Sequence, residues 1–547
     1  MKKIVILGAG LMQKPAILSC RNLGYESVVV DANPNAVCVP LADRFYPVDL
    51  KDKDAILGLA RKINSESDSE SQIAAVFTAG TDFSASVAFV AENLGLPSHS
   101  YEACLNASDK VRMRGCFSRF MVPSPKFEQI DKDDFERIRK DVEDGKVEFP
   151  KVVKPCDNMG GRGCRLVRNK DEFDSAVSSA IKNSRTERAI FEDYMEGDEY
   201  SIDSVVYNGT LTITGFADRH IFYPPYFIEM GHSLPASIDQ KKKNELIATF
   251  ALGIKALGLT CGVAKADIKY TKNGPMIGEI AARLSGGYMS GWTYPYSSGM
   301  NLTEIAMTVA LGEKPLSLIM NRVPLAWQPH KSVEKQIQPF DIFELKSLRF
   351  SAERAWLSIP GKVSKIYGLE EVKNFAFVRD VLPRVKEGDN VDFPRNNVEK
   401  CGNIIAVSDS RQNSYNAAHK AVSEITLRLE PDNPYTEKFL SGTSEKDEAG
   451  FPPSAFTFAP SAESGISSSI GKGTVIPADE PAIEYIPEIL APLADSIQDW
   501  NHCTLRKTLE KFDRICPKHK SLDGGTFWSA ILRGGIQGAL YVCDSKS

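Results

Sequence analysis

Apolar positions in the first hundred residues come in short runs separated by turn residues, as buried strands alternating with helices require. Ile4 to Leu7 is one such run, Gly8-Ala-Gly10 a tight turn, and Pro15 to Leu23 a helix ended by Gly24. Ser27 to Val30 makes a second strand closed by Asp31, and Ala74 to Phe77 a later one, followed by Thr78-Ala-Gly-Thr-Asp82. The pattern predicts a parallel α/β domain over residues 1–112. Gly8-x-Gly10 with an acid about 20 residues on points toward a dinucleotide fingerprint. Gln13 stands where the third glycine belongs, so a Rossmann-like wall for another small molecule is the preferred reading.

From Ser108 to Pro155 the pattern changes. Asp109-Lys110 opens a helical stretch through Phe120, and Val122-Pro-Ser-Pro125 breaks it. Lys151-Val-Val-Lys154-Pro155 is a short strand ending in a lysine. Cys156-Asp-Asn158-Met-Gly160-Gly161-Arg-Gly163 follows, then a strand from Cys164 to Val167. A glycine-rich turn between strands offers backbone N–H groups to phosphate oxygens, and the neighbouring lysine adds a point charge. A flexible turn with surface lysines is the alternative. Further on, a strand from Ala189 meets a short connection at Glu192-Asp193-Tyr194-Met195 and re-enters a strand at Tyr200. Such a connection can present backbone groups to an adenine edge, with Glu199 able to accept bonds from ribose hydroxyls.

Gly262 to Gly287 reads as a hairpin: an alternating run from Val263 to Tyr270, the turn Asn273-Gly274-Pro275, then Met276 to Ile280. A loop centred on Asn273 sets Asp267 opposite Glu279, with β-carbons roughly 5 Å apart. Two like charges so placed repel by about 3 kcal/mol at an effective dielectric near 20. A hard cation between them removes that cost, and Mg²⁺ is typically held by one or two carboxylates plus phosphate oxygens. An exposed hairpin with solvated acids is the alternative. Arg283 lies four residues beyond Glu279, ahead of Ser285-Gly286-Gly287.

Length and composition limit the classes open to the chain. At 547 residues it calls for several domains. Its formal charge of -5 gives no basic footprint for nucleic acid. No apolar run approaches the ~18 residues of a membrane span. Met1-Lys2-Lys3 precedes only four apolar residues before Gly8, too few for a signal sequence. The eleven cysteines contain no Cys-x-x-Cys pair and read as reduced thiols. A cytoplasmic protein is expected, one that binds neither nucleic acid nor membrane.

Taken in order, Lys110, then Lys154 before the glycine loop, then Glu192 to Glu199, then Asp267 and Glu279-x-x-x-Arg283, resemble the motifs of ATP-grasp enzymes. The resemblance covers roughly residues 1–430. It implies ATP and Mg²⁺ as cofactors, with Mn²⁺ as a substitute. It also implies a fold of a Rossmann-like domain (1–112), a two-part ATP-grasp domain (113–315, split near 190) and a C-terminal α/β domain (316–430). Lys110 and Lys154 would contact phosphates, with Asn158, Gly160, Gly161 and Gly163 in the closing loop. Glu192, Asp193, Tyr194 and Met195 would form the adenine hinge, and Glu199 would meet the ribose. Asp267 and Glu279 would hold the metal, and Arg283 would face the transferring phosphoryl group. Ala281 stands where many members carry asparagine. The same replacement is familiar among ligases resembling the L-amino-acid ligases. In that branch a Glu-x-x-His like Glu229-x-x-His232, read here as part of an aromatic-rich loop, lies near the acyl substrate.

The expected activity is therefore ATP-dependent joining of a small carboxylate, such as an amino acid, to an amine, through an acyl phosphate. Carbamoyl-phosphate synthesis, formate-dependent transformylation and a silent nucleotide-binding module are the alternatives, and a homodimer is compatible with the sequence. Ser410 is expected to cap a helix from about Gln412 to Arg428. Residues 431–473 read as a linker rich in Ser, Gly and Pro, in which Gly465 to Lys472 falls short of a Walker motif. Residues 474–547 read as a helical extension whose His502-Cys503, Cys516 and His519 do not match a standard zinc spacing.

Overall fold

A computed structural model describes residues 1–325, 341–442, 450–458, 470 and 473–545. The chain divides into two compact units, Met1–His220 with His232–Ser351, and Ile221–Gly231 with Ala352–Ser547.

The first unit opens with a parallel sheet of β1 (Lys3–Leu7), β2 (Glu26–Val30), β3 (Arg44–Tyr46) and β4 (Ile73–Phe77), in the order β3-β2-β1-β4. Ile4 and Ile6 enter one apolar cluster, Val5 and Leu7 another, so the run is continuous because both faces are covered. The dinucleotide reading has no vacant acid to rest on. Asp31 accepts the Ala9 amide (2.8 Å), and buried Gln13 accepts the Ala79 amide (3.1 Å).

A second sheet in this unit runs β5 (Phe127–Ile130), β8 (Ala189–Asp193), β6 (Lys151–Pro155), β7 (Arg165–Val167), antiparallel throughout. Val153 and Phe191 face a core built with the helices Phe135–Glu143 and Phe173–Lys182. Strand alternation then turns Lys154 and Glu192 to the opposite face. The third sheet carries β9 (Asp198–Tyr207), β10 (Thr210–Phe222), β12 (Gly262–Thr271) and β13 (Gly274–Ala281), in the order β13-β12-β9-β10. Ile202, Ala266, Ile268, Ile277 and Ile280 cover one face against the helix α8 (Gln240–Leu257). The opposite face is charged. Next to β10 in the same sheet is β11 (Ile228–Leu234), whose residues divide between the two units.

The second unit corrects three expectations. The helix capped by Ser410 runs Arg411–Glu424, and Thr426–Leu429 beyond it is a strand. Described residues of the predicted linker are core: Phe451 and Phe456 are buried beside Phe393 and Phe439. Pro434–Leu440 of that span is a helix, and residues 443–449, 459–469, 471 and 472, nearly all of Gly465–Lys472 among them, lie outside the described ones. Finally, the predicted extension is not a separate appendage. Leu505, Leu509 and Phe512 of the helix Leu505–Ile515, with Phe527, Trp528 and Ile531 of the helix Gly524–Asp544, share one cluster with Val422, Leu427 and Leu429. Arg428 holds Asp544 (Nε to Oδ2, 2.7 Å), and Gln537 accepts the Ile359 amide (3.1 Å). His519 faces the Lys520 and Glu480 carbonyls, and no group of three or more His, Cys, Asp or Glu placed to hold a metal ion occurs among the described residues. No helix of the described residues is long and apolar enough to cross a membrane.

Candidate functional site

Asp267 and Glu279 are directly paired across β12 and β13. The turn does not produce this pairing by itself. Thr271 pairs with Gly274 and Ile268 with Ile277, which without interruption would set Asp267 against Gly278. A β-bulge between Asp267 and Ile268 shifts the register by one, and the shift returns Glu279 to the charged face. Gly278 is the inserted residue, and a Cβ there would lie 3.1 Å from the Asp267 carbonyl oxygen.

The carboxylates already have cationic company. Asp267 lies 2.9 Å from Arg219 and 2.6 Å from Lys265, and Glu279 lies 3.6 Å from Lys110. Burial works to raise the Glu279 carboxyl, and the Lys110, Lys265, Lys154 and Arg283 charges overcome it, holding it down to about 2. It is therefore an anion throughout the neutral range. Two converging carboxylates on one face of a hairpin are a suitable donor set for Mg²⁺ completed by phosphate and water.

Lys110 begins the helix Lys110–Arg119, where Asp109 accepts the amides of Val111 (2.9 Å) and Arg112 (3.0 Å). Its ammonium donates to the Asn158 carbonyl (2.8 Å). Arg114, one turn on, is wholly buried and grips Glu192 through Nε (3.2 Å) and Nη2 (2.9 Å) while also donating to the Gly278 carbonyl (2.7 Å). Lys154 binds the other Glu192 oxygen. The Glu192 side chain is thus engaged inside the protein, where it positions Lys154, and only its backbone is left to serve the hinge expected from sequence. Asn158 is likewise committed, its amide nitrogen donating to the Asn183 carbonyl (2.6 Å) and its side-chain oxygen accepting from Met159 (2.8 Å). It pins the loop in which Gly160, Gly161 and Gly163 all have φ between 66° and 76°.

At the hinge Asp193 pairs with Lys151, and the Asp193 amide donates to the Lys126 carbonyl (2.9 Å). Lys269 donates to the Met195 carbonyl (3.2 Å), lies over the Tyr194 ring (5.2 Å) and pairs with Glu199 (3.2 Å). Glu199 also meets Arg219 at 2.6 Å. Arg283 is buried, donates to the Leu284 carbonyl (3.0 Å), and its Nε has no partner. The Gly80 amide donates to the same carbonyl (3.2 Å), which brings the turn after β4 beside Arg283. Asp82 in that turn sits in the fields of Arg283, Glu279 and Lys110, with its carboxyl raised by burial.

Unit one therefore gathers Lys110, Lys154, the glycine loop, the hinge, Glu199, Asp267, Glu279 and Arg283. Glu229 belongs to the second unit, where its amide donates to Asn397 (2.7 Å) and its carbonyl accepts from Lys400 (2.5 Å). His232 is fully buried in the first. Both lie on β11, every residue of which is buried, and not in a surface loop. Sequence reasoning missed Arg114, Arg219, Lys265 and Asp82. Arg114 stood four residues after Lys110 on one helix face, and Arg219 and Lys265 on strands that alternate charged with apolar positions.

Known proteins resemble this chain in sequence and in fold. A family model described as the ATP-grasp domain matches residues 147–291, and one described as L-amino acid ligase C-terminal domain 2 matches residues 355–430. An uncharacterized protein, y4rH, of Sinorhizobium fredii is 23% identical over 419 residues, covering 75% of this chain and 79% of that protein. Carnosine synthase 1 of Gallus gallus is 24% identical over 58% of this chain, which spans only 36% of the synthase. Among solved structures, an L-amino acid ligase from Bacillus licheniformis superposes with a TM-score of 0.64 at 19% identity, covering 79% of this chain and 99% of the ligase. A phosphoribosylglycinamide synthetase from Anaerococcus prevotii gives 0.57 at 17% identity, covering 78% and 100%. The two domain matches follow one another along the chain, with the paired carboxylates inside the first, so residues 147–291 are similar to an ATP-grasp domain and residues 355–430 to the C-terminal domain of L-amino acid ligases.

Proposed function

We propose that the protein activates a small carboxylate, an amino acid or a close analogue, as an acyl phosphate and joins it to an amine. The carboxylate oxygen attacks the γ-phosphorus of ATP and ADP leaves. The amine then attacks the acyl carbon, a C–N bond forms, and phosphate departs as the amine loses a proton. The observation that carries this reading is the convergence of Lys110, Lys154, Lys265 and Arg283 on Glu279, cations suited to a polyphosphate and to charge developing on its oxygens. Mg²⁺, held by Asp267 and Glu279, would neutralise phosphate charge, and Mn²⁺ accepts similar oxygen ligands. Lys154, fixed by Glu192, orients phosphate oxygens, and the glycine loop excludes water from the activated acyl group. Arg283, with Nε unengaged, stabilises the transferring phosphoryl group. Glu229 and His232 are assigned to selection of the acyl substrate.

Hydroxylamine tests the proposal because it intercepts activated acyl groups before the natural amine is known. Given ATP, Mg²⁺ and a panel of amino acids and small carboxylates, the enzyme should yield a hydroxamate with at least one. Arg283→Met should abolish it while leaving ATP affinity largely intact. ADP release across the panel without any hydroxamate would overturn the reading. ADP release with bicarbonate alone would favour carbamoyl-type chemistry.

A further inference from the structure

The edge of β10 changes partners midway. Thr210 to Ile213 pair in parallel with β15 (Asp341–Leu345), and Phe216 accepts the Ala236 amide at 2.9 Å, so Thr214 and Gly215 fall between the two pairings. A further bulge against β9 lies between Ile213 and Gly215. A cavity of about 380 Å³ opens in this break, within the span of about 300–1,000 Å³ typical of small-ligand pockets. None of its lining residues belongs to the nucleotide face described above.

Its lining has two characters. Ile213, Phe216, Leu234 and Ile238 make an apolar wall. Ser297, Ser298 and Thr214 also line the cavity, the two serine hydroxyls donating to the Arg349 and Tyr294 carbonyls (2.9 Å each). The Thr214 side chain is buried, and its Oγ1 has no hydrogen-bond partner although it lines an open space. An unmet buried hydroxyl costs roughly 1–3 kcal/mol, so it marks a place where a ligand atom is missing. Lys243, in the first turn of α8, and Glu344, at the end of β15, pair with each other and also line the cavity. One cation, one anion and an apolar wall of side-chain size are complementary to a zwitterion.

We propose that this cavity binds a free α-amino acid at a site separate from the nucleotide face. Its carboxylate lies against Lys243, its ammonium against Glu344, and its side chain along Ile213 and Phe216. The bound zwitterion replaces one ion pair by two and gives Thr214 Oγ1 its partner. The far wall of the cavity is Tyr294, whose ring passes so close over Gly215 that a Cβ there would lie 2.2 Å from it. The Tyr294 hydroxyl lies 3.5 Å from the Ser201 carbonyl and beside Asp203. Asp203, fully buried, accepts the Ser285 amide (3.1 Å) and hydroxyl, two residues beyond Arg283. The cavity thus shares a wall with the groups that support the segment carrying Arg283.

The inference does not depend on the ligase reading, since it is tested by binding to the full chain without ATP. Calorimetry with L-alanine, L-leucine, L-glutamine and L-phenylalanine should reveal one-to-one binding of at least one. For L-leucine, isoamylamine and 4-methylpentanoate, each lacking one charge, should bind at least about tenfold more weakly. Lys243→Gln and Glu344→Gln should each weaken amino-acid binding by about tenfold, and Ala236→Trp should abolish it by filling the space. All three variants should titrate ATP as the parent does, which also shows that they fold. The proposal is overturned if no amino acid binds at millimolar concentration. It is equally overturned if binding survives both charge variants and Ala236→Trp, because the amino acid then sits elsewhere.

Discussion

Glu192 and Glu279 are both glutamates of the candidate site, set on two different sheets, and their surroundings differ in kind. The Glu192 side chain is 3% exposed and closed on both oxygens, by the wholly buried Arg114 and by Lys154. The Glu279 side chain is 25% exposed, and its nearest cation, Lys110, stands 3.6 Å away. Burial acts to raise both carboxyls, and neighbouring cations lower both below the ordinary range. The same direction of shift thus has two meanings. On the hinge sheet the protein has supplied the counterions itself and built a rigid mount for a lysine. On the hairpin the charges remain partly in reach of solvent, so an incoming metal and phosphate can still rearrange them.

The largest test of that contrast is stability. Glu192→Ala leaves Arg114 buried without its anion and should lower the unfolding free energy by about 3–5 kcal/mol. Glu279→Gln should change it by less than about 1 kcal/mol. Urea unfolding of the two variants side by side decides, and equal losses would erase the distinction. Next in size is metal dependence. Asp267→Asn and Glu279→Gln should each raise the Mg²⁺ needed for half-maximal activity by at least the roughly tenfold lost when an outer-sphere partner is removed. A third test sharpens the picture at Asp267. Arg219 competes with a metal for that carboxylate, and an ion pair of this kind is worth up to about 1 kcal/mol. Arg219→Met should therefore lower the Mg²⁺ requirement by as much as about fivefold, and a higher requirement would make Arg219 a partner of the nucleotide and not a rival of the metal.

The smallest effect is with acid. The folded Glu279 carboxyl lies below its unfolded value, so its stabilising contribution is complete above the ordinary carboxylate range and is lost as pH falls toward about 2. Melting temperature followed from pH 5 to pH 2 should fall more steeply for the parent than for Glu279→Gln. Parallel curves would remove Glu279 from the cationic cluster.

What could be read from sequence follows the range of the interactions. The Asp267–Glu279 pair was legible because a hairpin is local, although its register rests on a bulge at Gly278 and not on the turn assumed from the pattern. Lys110 and Arg283 were legible only through an ordered resemblance, since single charged residues carry no distance information. The grip of Arg114 on Glu192 joins positions 78 apart, and no periodicity encodes it. The β11 residues Glu229 and His232 looked like loop because prolines and aromatics surround them, yet burial on a strand prevailed. Beyond residue 431, serine and glycine hid a few large apolar anchors, Phe451, Phe456 and Trp528 among them, that a composition average dilutes.

The shared core of the second unit also imposes an order of events during synthesis. The first unit is complete in sequence at Ser351, apart from the segment Ile221–Gly231 that it lends to the second. Roughly 200 further residues must be translated before the helix Gly524–Asp544 emerges to close that core, about 10–40 s at ordinary elongation rates. For that interval the segment holding Glu229 waits without its permanent neighbours Asn397 and Lys400, while the first unit already has its other residues. Ribosome-bound chains stalled near residue 450 should then protect Lys154 and Glu192 from proteolysis while Ile221–Gly231 is still cut. A growing chain would complete the sheets that carry Lys154 and Glu192 first and the surroundings of Glu229 last.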